Sequence, residues 1–158
     1  MLDQLIKYFV YETKGYITKT QLVKFIYLAD LYAVKWTGKP LTDLDWCYYR
    51  HGPWNESIDF ALSQMDGQEV IQESQENTIL IKPNHIDKDC FNFPIGLELM
   101  LDNIRREWAG ITSDKINQLL DYVYETEPMR LVKDSHQPEE KFPLNLYSER
   151  EKLLAELG

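Results

Sequence analysis

The side chains best equipped for chemistry in this sequence are two cysteines, Cys47 and Cys90, and three histidines, His51, His85 and His136. Cys47 stands four residues before His51, and Cys90 five after His85, so either pair could supply a nucleophilic thiolate and its general base. A working pair also needs a third group to orient the imidazole and donors for an oxyanion. No motif in the sequence supplies either. His85, Asp87, Asp89 and Cys90 crowd the segment PNHIDKDCFN and could be read as metal ligands, but the glycine and terminal glutamate of a calcium loop are missing. A solvated acidic loop is the simpler reading. The seven glycines are isolated, so there is no phosphate-cradling loop. We therefore assign no catalytic, cofactor-binding or metal-binding residue, and a Cys/His hydrolase remains only as a reading from another class.

Two charged residues stand in an apolar run, FIYLADLYAV preceded by Lys24. Asp30, if buried there, needs hydrogen bonds or a cation, because an unpaired carboxylate in a core costs several kcal/mol. A structural clamp is the expected role. Lys24 shares a helical face with Tyr27 and Leu28, and is expected to lay its stem over aromatic surface with its ammonium in water. Five large rings, Trp36, Trp46, Tyr48, Tyr49 and Trp54, fall within 19 residues. Core packing accounts for about half of them. Trp, Tyr and Arg also anchor interfaces, so Trp46, Tyr48, Arg50, His51 and Trp54 are expected to form a partner-binding surface.

The elements that must position these groups follow from periodicity and punctuation. Thr18 with Gln21 reads as a capping box that starts a helix at about Lys19. That helix has no wholly polar face, so it must lie at the centre of the domain. Gly38 is placed to end it in the left-handed conformation, and Pro40 prevents continuation. Asp45–Arg50 alternates as a short strand with Trp46, Tyr48 and Arg50 on one face, closed by His51-Gly52-Pro53. A helix follows over residues 56–65. Residues 1–16, MLDQLIKYFVYETKGY, read as a first helix with Leu2, Leu5, Ile6, Phe9 and Val10 on one side. Residues 70–72 and 78–82 read as a hairpin sharing a minor antiparallel sheet with the 45–50 strand. A helix over residues 93–108 carries Ile95, Leu99, Leu101, Ile104 and Trp108. Thr112 caps the next, with Ile116, Leu119, Leu120 and Val123 as its stripe, before Glu127-Pro128 breaks it.

The pattern T-x-x-x-L-x-K-x-x-Y-L-A-D, then G-x-P-L, then an aromatic strand ending in Gly-Pro, resembles the Panacea domain of the SocA-like antitoxins found in bacterial and phage toxin-antitoxin pairs. The matching positions are Thr18, Leu22, Lys24, Tyr27, Leu28, Ala29, Asp30, Gly38, Pro40, Leu41, Gly52 and Pro53. The resemblance implies a mainly α (α+β) fold, a compact helical domain around one buried helix with a small sheet. It also implies an antitoxin that neutralises a toxin encoded beside it by direct protein contact. An adaptor that presents a client to a protease is the alternative within the binding class.

The pattern reaches about Met129, so residues 1–129 are expected to form the SocA-like domain and 130–158 a C-terminal extension. In that tail, Ser148 with Glu151 reads as a second capping box before a short helix over about 149–157. So short a helix is stable only when its Leu153, Leu154 and Leu157 dock on something. Packing on its own domain is the simplest outcome, and docking of Leu153 and Leu157 on a partner or on a second copy, as a homodimer, is the alternative.

A chain of 158 residues can bury about two thirds of its unfolded surface as one domain. Hydrophobic content of 44% excludes a disordered chain. There is no signal-peptide pattern and no run long enough to span a membrane. Two cysteines without CxxC spacing fit a reducing cytoplasm. The net charge is -9, with six Lys against Asp3, Glu12 and Asp30 before residue 42, and an excess of acid beyond it. Such a surface repels a phosphate backbone, so no direct nucleic-acid binding is expected. A basic toxin is the better electrostatic partner.

Overall fold

Helix α1 (Leu2–Glu12) places Leu5, Ile6, Phe9 and Val10 against the helix that follows, all fully buried. The computed structural model describes every residue except His136 and Pro138. Helix α2 (Lys19–Thr37) begins with both halves of the capping box. Gln21 N donates to the Thr18 hydroxyl at 3.1 Å, and Thr18 N donates to Gln21 Oε1 at 2.9 Å. Thirteen of its residues are buried, including Lys24 and Asp30, so it has no solvent face along most of its length. It ends at Gly38, which adopts φ +84° and donates to Val34 O. Helix α1 and three helices later in the chain pack against α2.

Strands β1 (Cys47–Tyr49) and β2 (Gly52–Trp54) form an antiparallel hairpin with Arg50-His51 as its two-residue turn. This corrects the expectation that Gly52-Pro53 closes a strand: it begins one. Pro53 is tolerated because β2 is an edge strand, where a missing amide breaks no ladder. Helix α3 (Glu56–Met65) has the expected bounds, capped by Asn55 Oδ1 accepting from Ser57 N. Strands β3 (Val70–Gln75) and β4 (Thr78–Pro83) pair over their full length. They form a sheet of their own, not one shared with β1.

Helix α4 (Ile95–Trp108) buries Leu101 and Ile104, but Ile95 and Leu99 are 80% and 60% exposed. The expected stripe fails for a geometric reason. Leu99 stands two residues from Leu101, about 200° around the helix. Helix α5 (Ser113–Tyr124) is capped by Thr112 and buries Leu119 and Val123. Glu127-Pro128 does not simply break the chain. It opens helix α6 (Glu127–Val132), with Pro128 in the first turn where its missing N–H costs nothing.

A strand and a helix of the tail pack against the rest. Strand β5 (Phe142–Pro143) pairs antiparallel with β1, giving the order β2-β1-β5. Helix α7 (Tyr147–Leu157) packs on α2 and α6. It starts earlier than the expected capping box allows, because Ser148 Oγ donates to Asn145 O and does not cap the helix. Its docking also differs from the expected leucine stripe. Arg150 Nη1 donates to Lys35 O at 3.0 Å, Glu149 Oε2 accepts from Glu127 N at 3.1 Å, and Ser148 is buried. Leu153 is half-buried, whereas Leu154 and Leu157 are 52% and 74% exposed. None of the helices among the described residues is long and apolar enough to cross a membrane.

Candidate functional site

Asp30 fixes the segment that leads from α2 into the hairpin. Its fully buried carboxylate accepts from Leu41 N at 2.8 Å, Thr42 N at 2.9 Å, the Thr42 hydroxyl, and Trp46 Nε1 at 2.9 Å. Four donors on one carboxylate discharge the cost of burying it without a cation. Trp46, held by this bond and packed edge-on against Tyr27 at 5.5 Å, is a core residue. The expectation that Trp46 faces a partner is thus corrected. Its position immediately before β1 points it inward, where its N–H finds the clamp.

Lys24 is buried as well, and its ammonium does not reach water as the sequence suggested. Nζ donates to Pro53 O at 3.0 Å. Gly52 makes this approach feasible. It adopts φ +133°, and a Cβ there would stand 3.3 Å from Lys24 Cε and 3.5 Å from Nζ. Burial alone pushes the Lys24 pKa down to about 8.

Beside Lys24, a cleft of about 420 Å³ opens between the first turns of α2 and the β1–β2 hairpin, lined by Lys19, Lys24, Tyr49, Arg50, His51 and Trp54. The rings of Tyr49 and Trp54 lie 5.0 Å apart. Arg50 stands 5.1 Å above the Tyr49 ring, and Lys141 Nζ lies 4.9 Å from the Trp54 ring, both in cation–π range. Arg50 adopts φ +55°, a conformation that costs a non-glycine residue energy and that the tight turn requires. Arg50 and His51 are exposed, and Trp54 is half-buried. Tyr48 lies half-buried against Tyr124, with ring centres 6.1 Å apart, so it belongs to the packing beneath the hairpin.

The structure therefore brings Arg50, His51 and Trp54 together and separates them from Trp46, Tyr48, Leu153 and Leu157. Tyr49, Lys19 and Lys141 join them. Tyr49 stood in the aromatic group in the sequence, and its strand parity with Cys47 placed it on the other face. The two lysines carried no local signal. Trp36, 64% exposed, lines a separate groove with Tyr32, Leu99 and Tyr122, about 20 Å further along α2.

The thiols have an environment unlike that of a nucleophile. Cys47 Sγ donates to Trp54 O at 3.5 Å, and burial pushes its pKa up, away from thiolate formation. Cys90 lies in a short 3₁₀ turn near Asp87. Among the described residues no cluster of His, Cys, Asp and Glu is arranged to hold a metal ion. His136 lies outside the described residues.

The class defined by these features is a helical α+β domain with small antiparallel sheets and an open, cationic and aromatic cleft on its surface. A model of the family described as antitoxin SocA-like, Panacea domain, matches residues 22–140, and the chain belongs to that family. The match begins inside α2 and runs past α6, covering the Asp30 clamp and the whole hairpin. No curated protein sequence matches the chain. Membership of this family suggests an antitoxin role and, with it, a toxin as partner.

Proposed function

We propose that this chain is an antitoxin that neutralises a toxin protein by direct contact, with the β1–β2 hairpin as the contact surface. The observation that supports this most is the cluster of exposed Arg50 and His51 on a strained two-residue turn with half-buried Tyr49 and Trp54 beside them, above the Lys24–Pro53 bond. Aromatic rings and arginine on a rigid support are the features of interface anchors, since little conformational freedom is lost when they bind. The toxin is encoded by an adjacent gene, and the neutralising event is binding, with no bond made or broken.

The net charge of -9 favours a partner that is basic over much of its surface and disfavours direct contact with nucleic acid. The working place is the cytoplasm, where free thiols such as Cys47 and Cys90 persist. The test is co-expression of this chain with the product of each adjacent gene, scoring growth rescue and co-purification together. Rescue with a stoichiometric complex is expected. Arg50→Ala with Trp54→Ala should then weaken binding at least tenfold. An effect within about threefold, less than 1 kcal/mol, would remove the hairpin from the interface. Accelerated loss of the neighbouring product, without a stable complex, would instead mark a proteolytic adaptor.

A further inference from the structure

Lys24 is an unusual cation. It is 6% exposed, forms no ion pair among the described residues, and uses one of its three N–H donors on Pro53 O. A buried ammonium without a carboxylate is normally avoided, because desolvation is then repaid only by neutral acceptors. Nearby carboxylates exist but are engaged elsewhere. Asp59, which also lines the cleft, pairs with Lys19 at 2.5 Å. Glu139 pairs with Arg50 at 3.5 Å, with both side chains mostly exposed, a contact worth little and easily exchanged. The cleft thus presents Lys24 at its base and Arg50 and His51 at its rim, with Tyr49 and Trp54 offering ring surface beside them.

We propose that this cleft receives an acidic side chain of the partner protein, whose Asp or Glu carboxylate docks between Lys24 and Arg50 while its methylene stem rests on the Trp54 and Tyr49 rings. The identification of the occupant rests on the reading above that the partner is a protein. Its chemistry rests on charge complementarity at the cleft alone. A cationic socket on a chain of net charge -9 also gives selectivity. Basic proteins in general are attracted to the surface, but only one with a carboxylate at the matching place fills the socket, and others leave Lys24 without a counter-ion. The incoming carboxylate displaces Glu139 from Arg50 and gives Lys24 its ion pair.

The first test needs only the free full-length chain. Sodium glutarate, a dicarboxylate with the stem of a glutamate side chain, is titrated at constant ionic strength against sodium chloride, and backbone amide resonances are followed by NMR. Inorganic phosphate is titrated in parallel. Saturable shifts at His51, Gly52 and Trp54 are expected with glutarate, with affinity reduced at least tenfold in Lys24→Met. Arg50→Gln, a change at an exposed side chain that leaves the core untouched, should reduce it about threefold. Shifts no different from those in sodium chloride, or retained in both variants, would overturn the socket. A response to phosphate alone would overturn its assignment to a carboxylate. Glutarate binding without any toxic neighbour would keep the carboxylate socket and overturn the antitoxin reading. Growth rescue without glutarate binding would do the reverse.

Discussion

Substituting Asp30→Asn puts a number on the clamp that joins α2 to the hairpin. In the parent, Oδ1 accepts two backbone amides and Oδ2 accepts the Thr42 hydroxyl and the Trp46 indole N–H. Asparagine keeps one oxygen for Leu41 N and Thr42 N. Its NH2 group then faces two donors. The Thr42 hydroxyl can rotate and accept, but the indole N–H cannot, and it is left buried and unpaired. That orphan costs about 1–3 kcal/mol, and loss of charge assistance weakens the bonds that remain. Relief from burying a charge offsets part of this. A net loss of about 3 kcal/mol follows, which for a chain of this size is a fall in Tm of roughly 6–12 °C. The assay is thermal unfolding followed by far-UV and near-UV circular dichroism, the latter reporting the fixed environment of Trp46. A cooperative transition within about 2 °C of the parent, with the near-UV signal intact, would refute the view that these four bonds hold the segment.

Two further outcomes are expected. The Lys24 pKa is lowered to about 8, so between about pH 8 and 10 the unfolded chain holds a proton that the folded chain has released, and stability contributed by this residue rises with pH by up to about 1.4 kcal/mol per unit. Urea unfolding across that range should show a steeper rise in the parent than in Lys24→Met. This difference isolates the lysine from Cys47 and from buried Tyr27 and Tyr32, whose raised pKa values act in the opposite sense, and identical slopes would exclude an unpaired buried ammonium. Leu154→Ser combined with Leu157→Ser should leave Tm within about 1 °C, because both side chains are mostly exposed, whereas deleting residues 142–158 removes β5, α7 and the Arg150–Lys35 bond and should lower it by about 8 °C or more. Equal effects of the two changes would show that the leucine stripe docks after all.

The features legible in the sequence were those decided within one turn of chain. The capping box at Thr18, the left-handed Gly38, the Glu56–Met65 helix and the cap at Thr112 depend on neighbours a few residues apart. So did the central place of α2, because a helix apolar all round has nowhere else to go. Errors arose where distant partners decide. Gly52-Pro53 resembles a strand end until Cys47 is seen to pair with Trp54. Ser148 and Glu151 have the spacing of a cap, but Glu149 and Arg150 are drawn to α6 and α2 and the helix starts earlier. At the site, Arg50, His51 and Trp54 stood out as candidates by type and adjacency, and the structure brings them to one cleft. The fate of Trp46 was not, since it depends on an indole N–H meeting a carboxylate 16 positions upstream. The burial of Lys24 depended likewise on a carbonyl 29 residues away.

The order in which the chain leaves the ribosome makes the join between tail and centre consequential. Helix α2 is complete by residue 37, yet α7, which covers part of it, ends at residue 157, about 120 residues later. At roughly 5–20 residues per second, a nascent chain carries this apolar helix partly uncovered for roughly 6–24 s before its last helix can close over it. For most of that interval the hairpin also lacks its third strand, β5, so the cluster of Tyr49, Arg50 and Trp54 rests on two three-residue strands. Premature termination between residues 54 and 142 therefore yields a chain with both a partly uncovered apolar helix and a hairpin without its third strand, a natural substrate for quality-control proteases.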